Sequence, residues 1–118
     1  MPTTKDVVKA YFQAWTSRDL TKARACLGDN LDFQGSIDRF TNADDFVRAL
    51  GGFVQVLSET QLLAEFYGDT DAMLLYDCVT PTPAGTIRTA EYLEVAGGKI
   101  QTIKLVFDAT ELRKMMGG

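Results

Sequence analysis

The spacing of apolar residues changes character near the middle of the chain. Before Ser58, apolar residues recur three or four positions apart, as at Val7, Tyr11 and Trp15, which is typical of one face of an α-helix. From Ser58 onward, apolar and polar residues alternate, which is typical of half-buried β-strands. The pattern predicts helices in the first half of the chain and a sheet in the second.

Polar residues mark the starts of three helices. Thr3 and Asp6 have the spacing of a capping box at the start of the first helix. Asp19 follows a polar break and is expected to cap a second, short helix that Gly28 ends. Asn42, with two aspartates in the next turn, starts the third helix, because side-chain oxygens and negative charge both suit a helix N-terminus.

The alternating segments predict five strands. A short strand is expected at residues 31–35, and four longer ones at residues 60–67, 72–80, 86–95 and 100–109. The four longer strands are joined by short segments rich in glycine, proline and aspartate, so neighbouring strands are antiparallel. The predicted architecture is α+β, with three N-terminal helices packed in a curved, mainly antiparallel sheet.

The composition restricts the possible reactions and partners more than it restricts the possible folds. A length of 118 residues suits a single domain spanning residues 1–118. The net charge of -4 argues against nucleic acid or an anionic membrane as a partner. The chain contains no histidine, which excludes histidine-activated nucleophiles and histidine-ligated metals. We expect no metal and no cofactor, and chemistry carried by carboxylates, tyrosines, lysines or bound water.

The sequence also predicts a soluble, cytoplasmic protein. Its N-terminus lacks the apolar stretch of a signal peptide, and no apolar run is long enough to span a bilayer. Cys26 and Cys78 lie far apart and outside any C-x-x-C motif, so we expect free thiols in a reducing compartment.

Glu91 is a carboxylate on the more apolar face of its strand, which it shares with Leu93. The loop at residues 97–98 decides what lies across from it, because a slip of one residue exchanges the two faces of a strand. A two-residue turn would place Glu91 opposite Lys104, and a three-residue loop would place it opposite Ile103. We favour the three-residue loop, which prefers glycine at its last position.

A second carboxylate, Asp77, is expected on the same face as Glu91. A five-residue loop at residues 81–85 would align the preceding strand so that both acids share that face. Carboxylates among apolar residues are costly unless they have partners or a function. The alternative is structural, with Asp77 paired with Arg88 or a backbone donor and Glu91 paired with Lys104.

The order and spacing of several stretches resemble the nuclear transport factor 2-like superfamily. These are Val-Val-Lys-Ala-Tyr at residues 7–11, Arg-Asp-Leu at 18–20, the strand at 31–35 and the ending at 98–108. The SnoaL-like branch, named for a polyketide cyclase, is the most similar. The resemblance covers nearly the whole chain without one sharp motif. It implies a cone-shaped α+β barrel with a pocket at its open end and a homodimer through the outer face of the sheet.

The resemblance also suggests roles for individual residues. In ketosteroid isomerase, a tyrosine and a protonated carboxylic acid form the oxyanion hole and an aspartate is the base. Tyr11 and Glu91 fall at the positions of the first two, whereas the base falls at Gly35, which has no side chain. Asp77 matches one acid of limonene epoxide hydrolase, but the second aspartate of that enzyme falls at Leu105, as does the acid/base aspartate of the cyclase. None of these three sets of catalytic residues is complete in this chain.

We therefore predict Glu91, Asp77 and Tyr11 as catalytic residues in a pocket for a small apolar metabolite. The pocket-lining residues are predicted to be Trp15, Phe33, Leu75, Leu93, Ile103, Leu105 and Phe107, although Tyr11 and Trp15 also suit a plain core. The chemistry would be that of a cofactor-free isomerase, cyclase or hydrolase. The alternatives are a ligand-binding or dimeric interaction module that has lost its chemistry, and a structural dimer with a filled cone.

Two further predictions concern the surface of the molecule. Apolar residues opposite the proposed pocket are expected to form the dimer face, namely Leu74, Tyr76, Cys78, Tyr92 and Val106. Asp108 lies on the opposite strand face from the pocket, and we expect it to cap a C-terminal turn.

Overall fold

The computed structural model of the protein describes residues 2–115. The elements follow the chain as α1 (Thr4–Thr16), α2 (Leu20–Ala25), β1 (Leu27–Gln34), β2 (Arg39–Phe40), α3 (Ala43–Gln55), β3 (Glu59–Tyr67), β4 (Asp71–Val79), β5 (Thr86–Ala96), β6 (Lys99–Phe107) and α4 (Thr110–Met115). The three predicted helices and five predicted strands are present, but two bounds were wrong: α2 ends at Ala25 and not at Gly28, which lies inside β1, and β1 begins at Leu27 and not at Leu31. The short strand β2 and the helix α4 are additional.

The predicted helix starts are confirmed by their hydrogen bonds. The Thr3 hydroxyl accepts from the Asp6 backbone N–H at 3.1 Å, and Asp6 accepts from the Thr3 N–H at 3.0 Å, which completes the capping box. The Asn42 side chain accepts from the third backbone N–H beyond it at 2.8 Å. Asp108 accepts from both the backbone N–H and the hydroxyl of Thr110, so the predicted C-terminal turn becomes α4.

The six strands form one open, curved sheet in the order β2-β1-β6-β5-β4-β3. The β1–β6 pair is parallel and every other pair is antiparallel, which confirms the predicted mainly antiparallel α+β fold. The core lies between the inner face of the sheet and the apolar sides of α1 and α3. None of the helices within residues 2–115 has the length and apolar character that crossing a membrane would require.

The register of β4 differs from the predicted one by a single residue. Val79, not Thr80, pairs with Thr86, so the loop contains six residues. Because side chains alternate along a strand, this shift exchanges the two faces of β4. The prediction for β4 was therefore wrong: Leu74, Tyr76 and Cys78 point inward and are buried, and the predicted dimer face loses these three members.

The β5–β6 hairpin also differs in register, but it keeps its faces. The favoured three-residue loop was wrong: Ala96 pairs with Lys99 across a two-residue turn, and both turn glycines have positive φ, of 62° and 74°. A bulge beside Val95 then adds one residue to β6. Glu91 consequently pairs with Leu105, not with either of the two residues considered from sequence, and it points inward as expected.

Candidate functional site

A cavity of about 140 Å³ lies between the inner face of the sheet and the helices α1 and α3. Its walls are mainly apolar, and they include the aromatic rings of Trp15, Phe33, Phe40, Phe46, Phe53 and Phe107. The polar groups are few, which is the usual composition of a small-molecule site. They are contributed by Tyr11, Asp38, Tyr76, Thr89 and Glu91.

Glu91 is the buried acid of this cavity. It stands in the middle of β5 with 2% of its surface exposed, and the Tyr76 hydroxyl donates to its Oε1 at 3.2 Å. Burial raises the pKa of Glu91 from 4.5 to about 7, because the charged form is poorly solvated, while the Tyr76 hydrogen bond acts in the opposite direction. Glu91 therefore changes protonation state near neutral pH.

Two tyrosine hydroxyls accompany Glu91. Tyr11 is 1% exposed and Tyr76 is also buried, and both line the cavity. Burial, followed by the nearby charge of Glu91, raises the pKa of both tyrosines well above 10, so both hydroxyls keep their protons. The Tyr11 hydroxyl has no hydrogen-bond partner within residues 2–115, which leaves it free to donate to a ligand.

A second carboxylate, Asp38, lines the cavity from the loop between β1 and β2. The backbone N–H of Gly35 donates to the Asp38 carbonyl at 2.8 Å, which folds the loop back on itself. As a result, Asp38 Oδ1 lies 2.9 Å from the point where a Cβ on residue 35 would stand. Partial burial raises the pKa of Asp38, and its carboxylate has no hydrogen-bond or ion-pair partner in the described part of the chain.

Asp38 was not predicted from the sequence, because the resemblance pointed only to residue 35 as the position of the base. The available signal was the pair Gly35 and Asp38 at turn spacing directly after a strand. A tight turn of that length places its first and last residues opposite each other. The Asp38 carboxylate therefore lies beside the point where a side chain on residue 35 would begin.

Asp77 lies outside the site, so its predicted position was wrong. The register of β4 places it on the outer face, opposite Arg88. Arg88 donates to both carboxylate oxygens of Asp77 at 2.9 Å, and this bidentate pair lowers the pKa of Asp77. Leu75 lies on the same outer face and is not a lining residue either. The structural alternative was right for Asp77 and wrong for Glu91, which does not pair with Lys104.

The remaining predicted lining residues divide into two groups. Those that line the cavity are Trp15, Phe33, Leu105 and Phe107. Leu93 and Ile103 lie on the inner face of the sheet but are fully buried in the core, and they do not line the cavity in the described structure. Of the predicted catalytic residues, the cavity brings together Tyr11 and Glu91.

The site therefore has acids at two depths. Glu91 lies deep, where burial favours its neutral form and the Tyr76 hydroxyl donates to it. Asp38 is partly exposed to solvent, where a charged carboxylate is more easily solvated. Environments that separate two carboxyl groups in this way can give one the role of acid and the other the role of base.

No protein-family model and no curated protein sequence matches the chain. Several solved structures, in contrast, match nearly the whole chain. A protein from Kribbella flavida is 29% identical, with a TM-score of 0.87 over 95% of this chain and 92% of that one. An NTF2-like protein of unknown function from Cytophaga hutchinsonii is 19% identical, with a TM-score of 0.82 over 96% of each chain. A candidate polyketide cyclase from Sinorhizobium meliloti is 14% identical, with a TM-score of 0.77 over 86% of this chain and 94% of that one. The predicted resemblance is thus confirmed at the level of the fold, and the chain has the α+β fold of the nuclear transport factor 2-like superfamily.

Proposed function

We propose that the protein binds a small apolar metabolite and moves a proton on it without a cofactor. The observation that carries this proposal is the placement of two carboxyl groups, Glu91 and Asp38, on one aromatic cavity at different depths. Isomerisation and cyclisation of carbonyl compounds both begin with removal of a proton from carbon. The fold of the candidate polyketide cyclase agrees with this class of reaction.

The deep end of the cavity is suited to hold the oxygen of the ligand. A carbonyl oxygen placed there would accept hydrogen bonds from the free Tyr11 hydroxyl and from the protonated carboxyl of Glu91. When a proton leaves the neighbouring carbon, the electron pair moves onto this oxygen, and donors fixed in place stabilise the negative charge that develops. Tyr76 supports the arrangement by holding Glu91 in position.

Asp38 is the residue we propose as proton acceptor. Asp38 lines the cavity, and its carboxylate is free of partners within residues 2–115. A carboxylate with a raised pKa is a stronger base than an ordinary one, which favours proton removal near neutral pH. The proton passes from the ligand carbon to Asp38 Oδ1 or Oδ2 and returns to another carbon, so that isomerisation consumes nothing else.

Exchange of carbon-bound protons with solvent tests the base directly. Cyclohexenone in heavy water serves as the probe, and proton NMR follows the loss of its signals next to the carbonyl. The wild-type protein is expected to accelerate exchange, and Asp38→Asn to reduce that acceleration by about a hundredfold or more. Asp77→Asn is the matched control, since the same substitution on the outer face leaves the cavity untouched. Equal exchange by the Asp38→Asn variant and the wild type would exclude Asp38 as the base.

The second candidate function is a ligand-binding module without chemistry. It is favoured by Leu105, an apolar residue that lines the cavity at the position where the resemblance places the acid/base aspartate of the cyclase. A protein that binds the probe without accelerating exchange would fit this candidate. A cytoplasmic location stays a prediction for either function.

We also propose a homodimer through the outer face of the sheet. Apolar side chains from four adjacent strands share this face, and we call them the outer patch: Phe66, Met73, Leu75, Ala90, Tyr92 and Val106. Phe66 is 70% exposed and Val106 is 66% exposed. A second copy suits the patch because charges of both signs, Lys104 and Glu94, lie on the same face and can meet across a two-fold axis.

A further inference from the structure

Resting on the proposed function, we infer that the substrate is an uncharged carbonyl compound built on a single ring. Three features of the cavity lead to this substrate class: its volume, the rigidity of its aromatic walls and the sign of the charges around it. Each excludes a different group of competing ligands.

The volume limits the ligand to about one ring. An apolar protein cavity of about 150 Å³ holds one benzene molecule, and this cavity measures about 140 Å³. A bicyclic compound would need the walls to move, and a compound of four fused rings would need several times the space. Interiors are close-packed, so inserting extra ring atoms forces side chains out of their preferred rotamers.

The aromatic walls on one side are fixed by packing on each other. Phe33 and Phe46 stack with their ring centroids 4.5 Å apart and their planes inclined by 28°. Phe40 leans against both rings, with centroids 5.9 Å from Phe33 and 6.2 Å from Phe46. Both stacked rings are buried, so widening the cavity here would break the stack. Flat walls of this kind favour a flat ligand.

The charges around the cavity exclude anionic ligands. Its titratable acids are Glu91 and Asp38, and no lysine or arginine stands among the lining residues within residues 2–115. A carboxylate or phosphate entering the cavity would lose its hydration without gaining a cation and would meet negative charge. A neutral ligand with one oxygen acceptor instead finds the Tyr11 hydroxyl, which lacks a partner in that part of the chain.

Trp15 can report directly whether a ligand occupies the cavity. It is the single tryptophan of the chain, it lines the cavity, and its buried indole N–H has no partner in the described structure. A proton–nitrogen correlation spectrum therefore contains one indole signal, which belongs to the cavity wall. We expect cyclohexenone to shift this signal saturably. Tetralone, with two rings, should bind about tenfold more weakly or worse, and androstenedione and cyclohexenecarboxylate should leave the signal in place.

A pair of phenylalanine substitutions tests whether size is the cause. Phe53 lines the cavity from α3, and Phe53→Ala should enlarge it and bring the affinity for tetralone within about threefold of that for cyclohexenone. Phe66→Ala makes the same change on the exposed outer patch and should leave the order of affinities unchanged.

The outcomes separate this inference from the proposed function. Wild-type protein that binds androstenedione or the carboxylate as tightly as cyclohexenone would overturn the substrate class, whatever the exchange assay gives. Preferential binding of cyclohexenone without proton exchange would support the substrate class and count against catalysis. An indole signal that none of the four compounds moves would overturn both.

Discussion

Replacing Glu91 by glutamine should make the stability of the protein less sensitive to pH. Glutamine keeps the shape of the side chain and can still accept the hydrogen bond from Tyr76 at the distance of 3.2 Å seen for Glu91 Oε1. It removes the ionisation. The variant therefore isolates the free-energy cost of holding a charged carboxylate in an apolar cavity, with little change in packing.

The magnitude follows from the shift in the pKa of Glu91, from 4.5 to about 7. Because the folded state holds the proton more tightly than the unfolded state does, stability contributed by protonated Glu91 is present below pH 4.5. It is lost as pH rises toward 7. A shift of this size corresponds to about 3 kcal/mol in the free energy of unfolding, and most of it should be lost between pH 5 and pH 8.

Urea unfolding at these two pH values measures the effect. The wild type should lose about 2–3 kcal/mol more than Glu91→Gln does as pH rises from 5 to 8, and the variant should be the more stable protein at pH 8. Glu94→Gln is the matched control, since Glu94 is an exposed glutamate of the same strand and this variant retains Glu91. Parallel pH curves for the wild type and Glu91→Gln would refute the burial of a titrating carboxyl at this position.

Two further predictions concern the outer face of the sheet. Asp77→Asn and Arg88→Gln should each lower the melting temperature slightly, and the double variant should be no less stable than the worse single one, because either change removes the same ion pair. Additive losses in thermal denaturation would contradict that pairing. Val106→Lys should shift the protein from dimer to monomer in sedimentation velocity at tens of micromolar, whereas Val56→Lys, an exposed valine off the sheet, should not. A wild type that sediments as a monomer there would contradict the proposed dimer.

The fold could be predicted because its signals are local and redundant. The change from helical to alternating spacing, the capping residues and the short loops all agree, and the strand boundaries then differ from the predicted ones by only one or two residues in the sheet of β3–β6. The inward face of β5 was also predictable, because charged residues such as Arg88 and Glu94 alternate with apolar ones along that strand.

The inward face of β4 was not predictable in the same way. Both of its faces are largely apolar: Leu74 and Tyr76 lie on one, Met73 and Leu75 on the other. Alternation therefore could not select a face, and the choice depended on one residue of loop length. The one-residue difference in loop length places Asp77 on the outer face, outside the site. Asp38 escaped notice for a different reason, since a loop residue has no periodic partner to reveal where its side chain points.

The observed register of β4 also gives the site an arrangement of charge that costs less free energy than the predicted one. Two carboxylates buried together would each resist ionisation, and the pair would titrate as a unit. Instead, Asp77 is neutralised by Arg88 on the outer face, Glu91 is the acid buried in the cavity, and Asp38 stands where water reaches it. Ionised Asp38 and protonated Glu91 can then coexist near neutral pH, because the difference between them comes from depth and not from mutual repulsion. The proposed division into acid and base thus rests on where the chain turns after β1 and on which face β4 presents to the core.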